Sequence, residues 1–332
     1  MTIAGGLIPH LASAAEAERN IMASSPGGTH WVIAEDISKL GNKCGLPLNV
    51  VESAGSLENF FGVRNRPNTQ FGIVAGDILN YLKSYQGSNK EVHEAVQGMR
   101  IMLPLYDAEV QVVAREGINT MEDLNGKRVG VGPEDGAANL TSSVMFDILK
   151  IKPAERVKRS NDDMIELLRQ GEIDAFMRVS GAPVADLNDG RLDERFHIVP
   201  ITQDVLKASY KSIVLPAGTY GFQKTPVQLV GVKTLLMTYE FGTAKNEYYK
   251  KSCKAVADFT NLIVDHIDEL KETGHPKWKD VDLTEIPAGW QIGDCVRQGL
   301  DPNYEVQCEA PAASVDPANQ EFLDLLRKHM HN

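Results

Sequence analysis

Short apolar runs and stretches with helix-spaced apolar positions alternate along the first part of the chain. Residues 71–75 are mostly apolar, which is typical of a buried strand, and residues 77–85 follow with the spacing of an amphipathic helix. The same order occurs twice before this pair. We therefore predict three strand-and-helix pairs: strand 20–24 with helix 31–40, strand 48–52 with a helix that begins near Leu57, and strand 71–75 with helix 77–85.

A second series of strands and helices begins near Glu109. Its predicted strands are residues 110–115, 128–132, 173–179 and 197–200, and its predicted helices are residues 140–149 and 162–170. Residues 212–218 then lead to 228–238, which are long and apolar enough for a central strand. We predict one long amphipathic helix over 246–271 and a short helix at 320–328.

Strands that alternate with helices need crossover connections, so the pattern predicts an α/β fold with a mainly parallel sheet. The later strands and the long helix rejoin the first unit, which predicts two lobes, two crossings of the chain between them and a ligand cleft. We place the first lobe at residues 20–106, the second at 107–216, and the rest of the first lobe with a C-terminal extension at 217–332. Ligands in such folds bind at the carboxyl ends of strands.

Composition narrows the possible partners. The chain has 332 residues, enough for two domains, and a net charge of 34 − 45 = −11, which argues against nucleic acid or an anionic membrane surface as the main partner. No run of about 18 apolar residues is present, so the chain is not expected to span a membrane.

The N-terminal segment has features of a secretory signal. Residues 1–19 are mostly small and apolar, and 12–14 and 15–17 resemble signal-peptidase sites, although no Lys or Arg precedes Arg19. We interpret this segment as a signal-peptide remnant whose true start lies upstream. The alternative is a disordered or helical tail.

The four cysteines do not have the spacing of a zinc site. Cys295 and Cys308 bracket a turn-rich segment, so a disulfide between them is plausible in an oxidising compartment. Cys253 lies in a helical pattern and is expected to be a core residue.

Three glycine-bearing loops lie on predicted strand-to-helix turns. The first carries Gly28, Thr29 and His30. The second and third supply Ser56 with Asn59, and Gly136 with Asn139. Glycine lets a ligand approach the backbone, and helix N-termini favour anions, so these loops indicate a small anionic or zwitterionic ligand. The alternatives are a tight turn without a ligand for the first loop and simple helix capping by Ser56 for the second.

Arg178 ends a predicted strand, where its guanidinium can bind a carboxylate through two hydrogen bonds. The alternative is an ion pair at the surface or between the lobes. Arg115 has a similar strand-end position and is expected to be solvated.

Motifs of catalysis are missing from the sequence. It contains no Gly-x-Ser-x-Gly, no Gly-x-x-x-x-Gly-Lys and no His-Glu-x-x-His, and the glycines around Gly132 miss the dinucleotide-binding spacing. His329 and His331 are expected to extend freely at the C-terminus. We predict no catalytic residues, no metal and no cofactor, and therefore not an enzyme.

Several motifs in order resemble the TAXI-type solute receptors of tripartite ATP-independent periplasmic (TRAP) transporters. These are residues 56–59, 71–74 with Asp77, 105–106 with Glu109, 124–133, 171–176, 215–220 and 230–236. The resemblance implies a type II periplasmic-binding-protein fold with crossing hinge strands, a periplasmic location and delivery of a ligand to a sodium-coupled permease. It also implies ligands such as glutamate or 2-oxoglutarate.

The sequence departs from the family pattern in three loops. The first loop continues His30-Trp31 in place of an aromatic pair, the third reads Asp135-Gly136-Ala137-Ala138 in place of Gly-Ser-Gly-Thr, and the turn at 181–183 is Gly-Ala-Pro. The family's usual ligand therefore does not transfer directly.

These inferences combine into one hypothesis, a periplasmic solute-binding protein that closes on a small carboxylate and docks on TRAP permease subunits. The predicted ligand-binding residues are Gly28, Thr29, His30, Ser56, Asn59, Asp77, Gly136, Asn139, Arg178 and Tyr220. The alternatives are a ligand sensor for a membrane kinase, a receptor for an ATP-driven importer, or an enzyme on the same two-lobed fold.

Overall fold

A mixed sheet of ten strands runs through residues 19–243 and 246–308, which are the residues that this computed structural model describes. The predicted signal-peptide remnant up to residue 18, the predicted helix 320–328, His329 and His331 lie outside them. The strands are β1 (Asn20–Met22), β2 (Asn49–Val51), β3 (Thr69–Ala75), β4 (Met99–Arg115), β5 (Arg128–Gly130), β6 (Glu155–Val157), β7 (Ala175–Ser180), β8 (Phe196–Val199), β9 (Lys211–Leu215) and β10 (Val227–Tyr239).

Nine α-helices cover the sheet within these residues. They are α1 (Thr29–Lys43), α2 (Ser56–Asn65), α3 (Ile78–Gln86), α4 (Lys90–Gly98), α5 (Ala137–Leu149), α6 (Asn161–Gln170), α7 (Glu247–Asp265), α8 (Ile267–Thr273) and α9 (Asp294–Gly299). Among the described helices, none combines the length and the apolarity that crossing a bilayer requires.

Two long antiparallel strands connect the halves of the sheet. β4 has 17 residues and β10 has 13, and they pair from Tyr239 with Met99 to Gly231 with Glu109. At one end β3 pairs with β10, and β1 and β2 continue the sheet in parallel. At the other end β7 pairs with β4, and β5 and β6 follow in parallel. We call the half with β1–β3 the first lobe and the half with β5–β7 the second lobe.

Apolar side chains fill both faces of the first lobe's sheet, which explains the continuous apolar pattern of β3. Ile73 belongs to the cluster that includes α1 and α7, whereas Val74 belongs to the cluster that includes α2, α3 and α4. Every residue of β3 is buried. A strand that helices cover on both faces does not alternate between apolar and polar residues.

Two predicted elements need correction, and three observed elements were not predicted. The helix predicted over 246–271 is two helices, because the chain breaks at His266, whose ψ is 19°. Strand β4 begins at Met99, eleven residues before its predicted start. The predicted start was too late because Asp107 and Glu109, which are both buried, interrupt the apolar pattern. Helices α4 and α9 and strand β6 were not predicted.

The disulfides differ from the predicted pair. Cys295, on α9, is bonded to Cys253 on α7, so Cys253 is not merely a core residue. Cys308 is bonded to Cys44, the C-cap of α1, across a sequence separation of 264. The predicted bond between Cys295 and Cys308 is therefore wrong, and the C-terminal part of the described chain is covalently tied to the first lobe.

Candidate functional site

A cavity of about 480 Å³ lies between the two lobes. The loops that follow β1, β2, β5 and β6 and the last residues of β7 reach it, so it lies at the carboxyl ends of these strands, as predicted for such a fold. Its lining consists of Ser24, Ser25, Gly28, Thr29, His30, Glu52, Ser53, Ala54, Gly55, Glu58, Pro133, Gly136, Ala137, Ala138, Ser160, Asn161, Arg178, Val179 and Ser180.

Three helix N-termini point their first turns at this cavity. Helices α1, α2 and α5 have the N-cap residues Gly28, Gly55 and Gly136, and no side chain of the described residues caps any of the three. The first N–H groups of a helix lack partners within the helix, and the helix dipole adds positive potential at that end. The arrangement therefore favours a negatively charged group in the cavity.

The two lobes touch each other at the rim of the cavity. The Leu57 amide donates to the carbonyl of Asp135 at 3.0 Å. Gly55 has a φ of +129°, and a Cβ at this position would be only 3.0 Å from the Cα of Gly136. Two facing glycines thus allow a direct backbone contact between the lobes.

Arg178 contributes a positive charge to the wall formed by the second lobe. Its Nη2 is 3.2 Å from Asp186 Oδ2, and the side chain is 13% exposed. Nε of Arg178 is buried and has no hydrogen-bond partner among the described residues. The ion pair with Asp186 therefore holds the guanidinium in place without using all of its donors.

His30 is a buried, neutral group in the same cavity. Burial, and secondarily the charge of Arg178, lowers the pKa of His30 to about 4. The ring packs edge-on against Tyr106, with 6.2 Å between centroids. The imidazole of His30 makes no hydrogen bond with the described residues, so one of its ring nitrogens is available as a donor to a ligand.

Thr29 joins the lobes at the base of the cavity. Its Oγ1 is 3.3 Å from Ser180 Oγ and donates to the Gly181 carbonyl at 3.2 Å. Thr29 begins α1 in the first lobe, whereas Ser180 ends β7 in the second. The side chain is thus engaged with protein atoms in this closed arrangement.

Two predicted residues of the second loop do not line the cavity. Ser56 accepts a hydrogen bond from the Ala75 amide at 2.9 Å. Asn59 donates to the carbonyl of Ile73 at 2.7 Å and to that of Ala23. Both side chains are fully buried and connect α2 to β3 and to the loop after β1, so they position the loop.

Asn139 is also used within the protein. Its Nδ2 donates to the Glu134 carbonyl at 2.6 Å, and its Oδ1 accepts from Arg156 at 2.9 Å. It therefore shapes the loop that carries Gly136 and does not itself line the cavity.

The remaining two predicted residues lie behind the site. Tyr220 is fully buried; its hydroxyl donates to Gln111 at 2.5 Å and accepts from the Val184 amide at 3.0 Å. It supports the loop after β7, which carries Asp186. Asp77 accepts a hydrogen bond from Tyr210 at 2.9 Å, away from the lining residues.

The sequence interpretation missed several lining residues. Ser160 and Asn161 begin α6, and Ser160 caps it through Asp163 N at 3.2 Å. A serine three residues before an acidic residue is a capping signal, but β6, which precedes it, has only three residues and was not recognised. Glu52 and Glu58 of the first lobe also line the cavity, and Glu58 forms an ion pair with Arg66.

The fold is a two-lobed α/β fold, with a mixed sheet crossed by two long strands and a cavity between the lobes. A model of the NMT1-like family matches residues 21–286, so the chain belongs to the NMT1-like family.

Three solved structures illustrate what the chain is similar to. One, described as a periplasmic transporter, is 14% identical, with 79% of this chain and 89% of that chain covered and a TM-score of 0.48. The periplasmic binding protein BugD is 11% identical, with 94% and 96% covered and a TM-score of 0.48. An amino acid ABC transporter substrate-binding protein, AbpA from Streptococcus pneumoniae, bound to L-arginine, is 12% identical, with 80% and 97% covered and a TM-score of 0.43.

Proposed function

We propose that this protein is the extracytoplasmic solute-binding subunit of a TRAP-type uptake transporter. It captures a small carboxylate, an organic acid or an acidic amino acid, by closure of its two lobes and delivers it to a membrane permease. The observation that carries the proposal is the position of Arg178 in a cavity on which three helix N-termini without side-chain caps converge.

The chemistry of the lining supports a carboxylate. A guanidinium binds a carboxylate through charge-assisted hydrogen bonds, each of which contributes about 1.5–3 kcal/mol. Backbone N–H groups of α1 and α5 supply further donors that need no hydroxyl side chain. This matters because Gly136 and Ala138 stand where the family resemblance leads one to expect the hydroxyls of Ser and Thr.

The geometry supports capture by closure. Gly28 and His30 belong to the first lobe, whereas Gly136 and Arg178 belong to the second. A ligand that touches both walls gains its full set of contacts only when the cleft is shut, and so shifts the equilibrium towards the closed form. A cavity of about 480 Å³ has the size typical of small-molecule sites.

The two disulfides support a location outside the cytoplasm. All four cysteines are paired, and Cys44 and Cys308 connect distant parts of the chain. Structural disulfides form and persist in oxidising compartments such as the periplasm. The predicted signal-peptide remnant and the motif resemblance to TAXI receptors point the same way.

A thermal-shift screen of the full chain tests this proposal. The panel contains organic acids and amino acids, each paired with its methyl ester or amide. We expect at least one small carboxylate to raise Tm in a concentration-dependent way, and its ester or amide to have little effect. Equal shifts by an acid and its ester, or conversion of a bound compound into a product, would contradict the proposal.

A further inference from the structure

A buried polar contact joins the lobes outside the cavity. Asp77 is the N-cap residue of α3 in the first lobe, and Tyr210 directly precedes β9 in the second. The Tyr210 hydroxyl donates to Asp77 Oδ2 at 2.9 Å. Asp77 is 6% exposed and Tyr210 is 4% exposed.

The second oxygen of this carboxyl group has no partner. Asp77 Oδ1 is buried without a hydrogen bond among the described residues, and so is Oγ1 of Thr141, a fully buried residue of α5 in the second lobe. Burial of an incompletely paired carboxyl disfavours its ionised form. It raises the pKa of Asp77 to about 6, although the hydrogen bond from Tyr210 and, more weakly, the nearby Thr141 hydroxyl, which lies outside hydrogen-bond geometry, act in the opposite direction.

Among residues 19–243 and 246–308, no charged group of the elements packed around Asp77 compensates for this burial. Lys233, on the crossing strand β10, binds Asp107 at 3.0 Å, and Lys207, in the turn before Tyr210, binds Asp204. Asp147 of α5 accepts a hydrogen bond from the Tyr85 hydroxyl. The titratable group that faces Asp77 is therefore the Tyr210 phenol, whose pKa burial raises well above its ordinary value.

We propose that Asp77, Tyr210 and Thr141 form a proton-linked latch, in which closure of the lobes transfers Asp77 from water into a buried site where its protonated form is favoured. The latch assumes the cleft closure of the proposed function but does not touch the ligand. It would make the closed form easier to reach in a mildly acidic medium. Asp77 would then act on closure, and not as a direct contact to the ligand.

The sign and size of the pH effect on closure follow from the linkage between closure and proton binding by Asp77. A carboxyl whose pKa is raised on closure, from the ordinary 3.8 to about 6, stabilises the closed form most below pH 4 and loses this contribution as pH rises through 6. Between pH 5 and pH 8 the ratio of closed to open molecules falls about tenfold through Asp77 alone. His30 titrates in the opposite sense, so the effect of Asp77 is isolated by comparison with Asp77→Asn.

The inter-lobe distance measures this equilibrium without any ligand. Spin labels on Ser88→Cys, in the exposed turn before α4, and on Glu172→Cys, in the exposed turn after α6, report the two lobes by pulsed dipolar spectroscopy. We expect the wild-type ratio of closed to open molecules, divided by that of Asp77→Asn, to fall about tenfold from pH 5 to pH 8. At pH 8 the Asn variant should be the more closed protein.

Two further variants complete the test. Asp193→Asn removes an exposed carboxylate that pairs with Arg195 and should behave like the wild type. Tyr210→Phe removes the hydroxyl that stabilises the Asp77 carboxylate, so the closed form should lose population at a higher pH than in the wild type. This variant keeps the test available if Asp77→Asn does not fold. Parallel pH profiles of the wild type and Asp77→Asn, or a more open Asn variant at pH 8, would overturn the latch. Because no ligand is present, a failed carboxylate screen does not affect this result.

Discussion

Substitution of Gly55 by alanine should hinder closure of the cleft. The new Cβ would lie 3.0 Å from the Cα of Gly136 and 3.4 Å from the amide nitrogen of Ala137. Carbon atoms in contact are normally about 3.5–4.0 Å apart, so the rims of the lobes must separate by roughly 0.5–1 Å. Such a separation weakens the hydrogen bond from Leu57 to Asp135.

The expected cost to the closed form is about 1–3 kcal/mol, the sum of one lost hydrogen bond and the residual overlap. Affinity for the proposed carboxylate ligand should therefore fall roughly 5- to 150-fold. Isothermal titration calorimetry of both proteins with the ligand measures this loss.

The backbone conformation at Gly55 has a separate effect on folding. Its φ of +129° is strained for alanine in the open and closed forms alike, which lowers the free energy of unfolding by about 1–3 kcal/mol. Gly126→Ala is the matched control, because Gly126 has a φ of +68° and no atom would lie within 4 Å of its Cβ. This control should lose stability but keep its affinity. Unchanged affinity in Gly55→Ala would refute the contact between the rims as part of the closed form.

Three further predictions concern pH, a disulfide and the buried ion pair of Lys277 with Glu109. The pKa of His30 is lowered to about 4 in the closed form, so closure releases a proton from His30 when the pH is below its ordinary pKa of about 6.5. In calorimetric titrations, the wild-type affinity divided by that of His30→Gln should therefore fall about 30-fold from pH 8 to pH 5, and a constant ratio would contradict this. Replacing Cys44 and Cys308 together by serine should lower the free energy of unfolding in urea by about 2–5 kcal/mol, since their bond closes a long loop; an unchanged midpoint would show that the bond adds nothing. Lys277→Met should destabilise by about 3–5 kcal/mol, because the buried carboxylate of Glu109, now 2.5 Å from Lys277 Nζ, keeps its hydrogen bond from the Ala182 amide but loses its charged partner. Adding Glu109→Gln should restore most of this loss in the same urea assay.

Much of the fold could be predicted because its strands are buried on both faces or precede clear amphipathic helices. β3 and α3 were predicted nearly within their observed bounds. The crossing strand β4 was not, since a strand that connects two lobes carries buried polar groups such as Asp107 and Glu109. Their partners, Lys233 and Lys277, are distant in the sequence.

The break between α7 and α8 was hidden by continuity of the apolar stripe. Ile263, before His266, and Ile267 and Leu270, after it, all pack against the same core, so spacing alone does not reveal the break. Disulfide connectivity was equally inaccessible, because four cysteines allow three pairings and only the fold brings Cys44 close to Cys308.

The candidate site was predictable at the level of loops but not of individual side chains. Glycine at strand-to-helix turns pointed to the segments around Gly28 and Gly136, and both segments line the cavity. Whether a polar residue in such a loop points into the cavity or back into the protein depends on backbone groups contributed by other elements. Asn59, whose amide bonds to carbonyls of β3 and of the loop after β1, shows this dependence.

Calorimetric titration of the wild type, Arg178→Gln and Arg115→Gln with the same small carboxylate most directly tests capture by Arg178 between the lobes. Arg115 is an exposed arginine that ends a strand, as Arg178 nearly does, but it does not line the cavity. We expect Arg178→Gln to bind roughly 10- to 150-fold more weakly and Arg115→Gln to bind like the wild type. Equal affinity of all three proteins would contradict the proposed mode of binding.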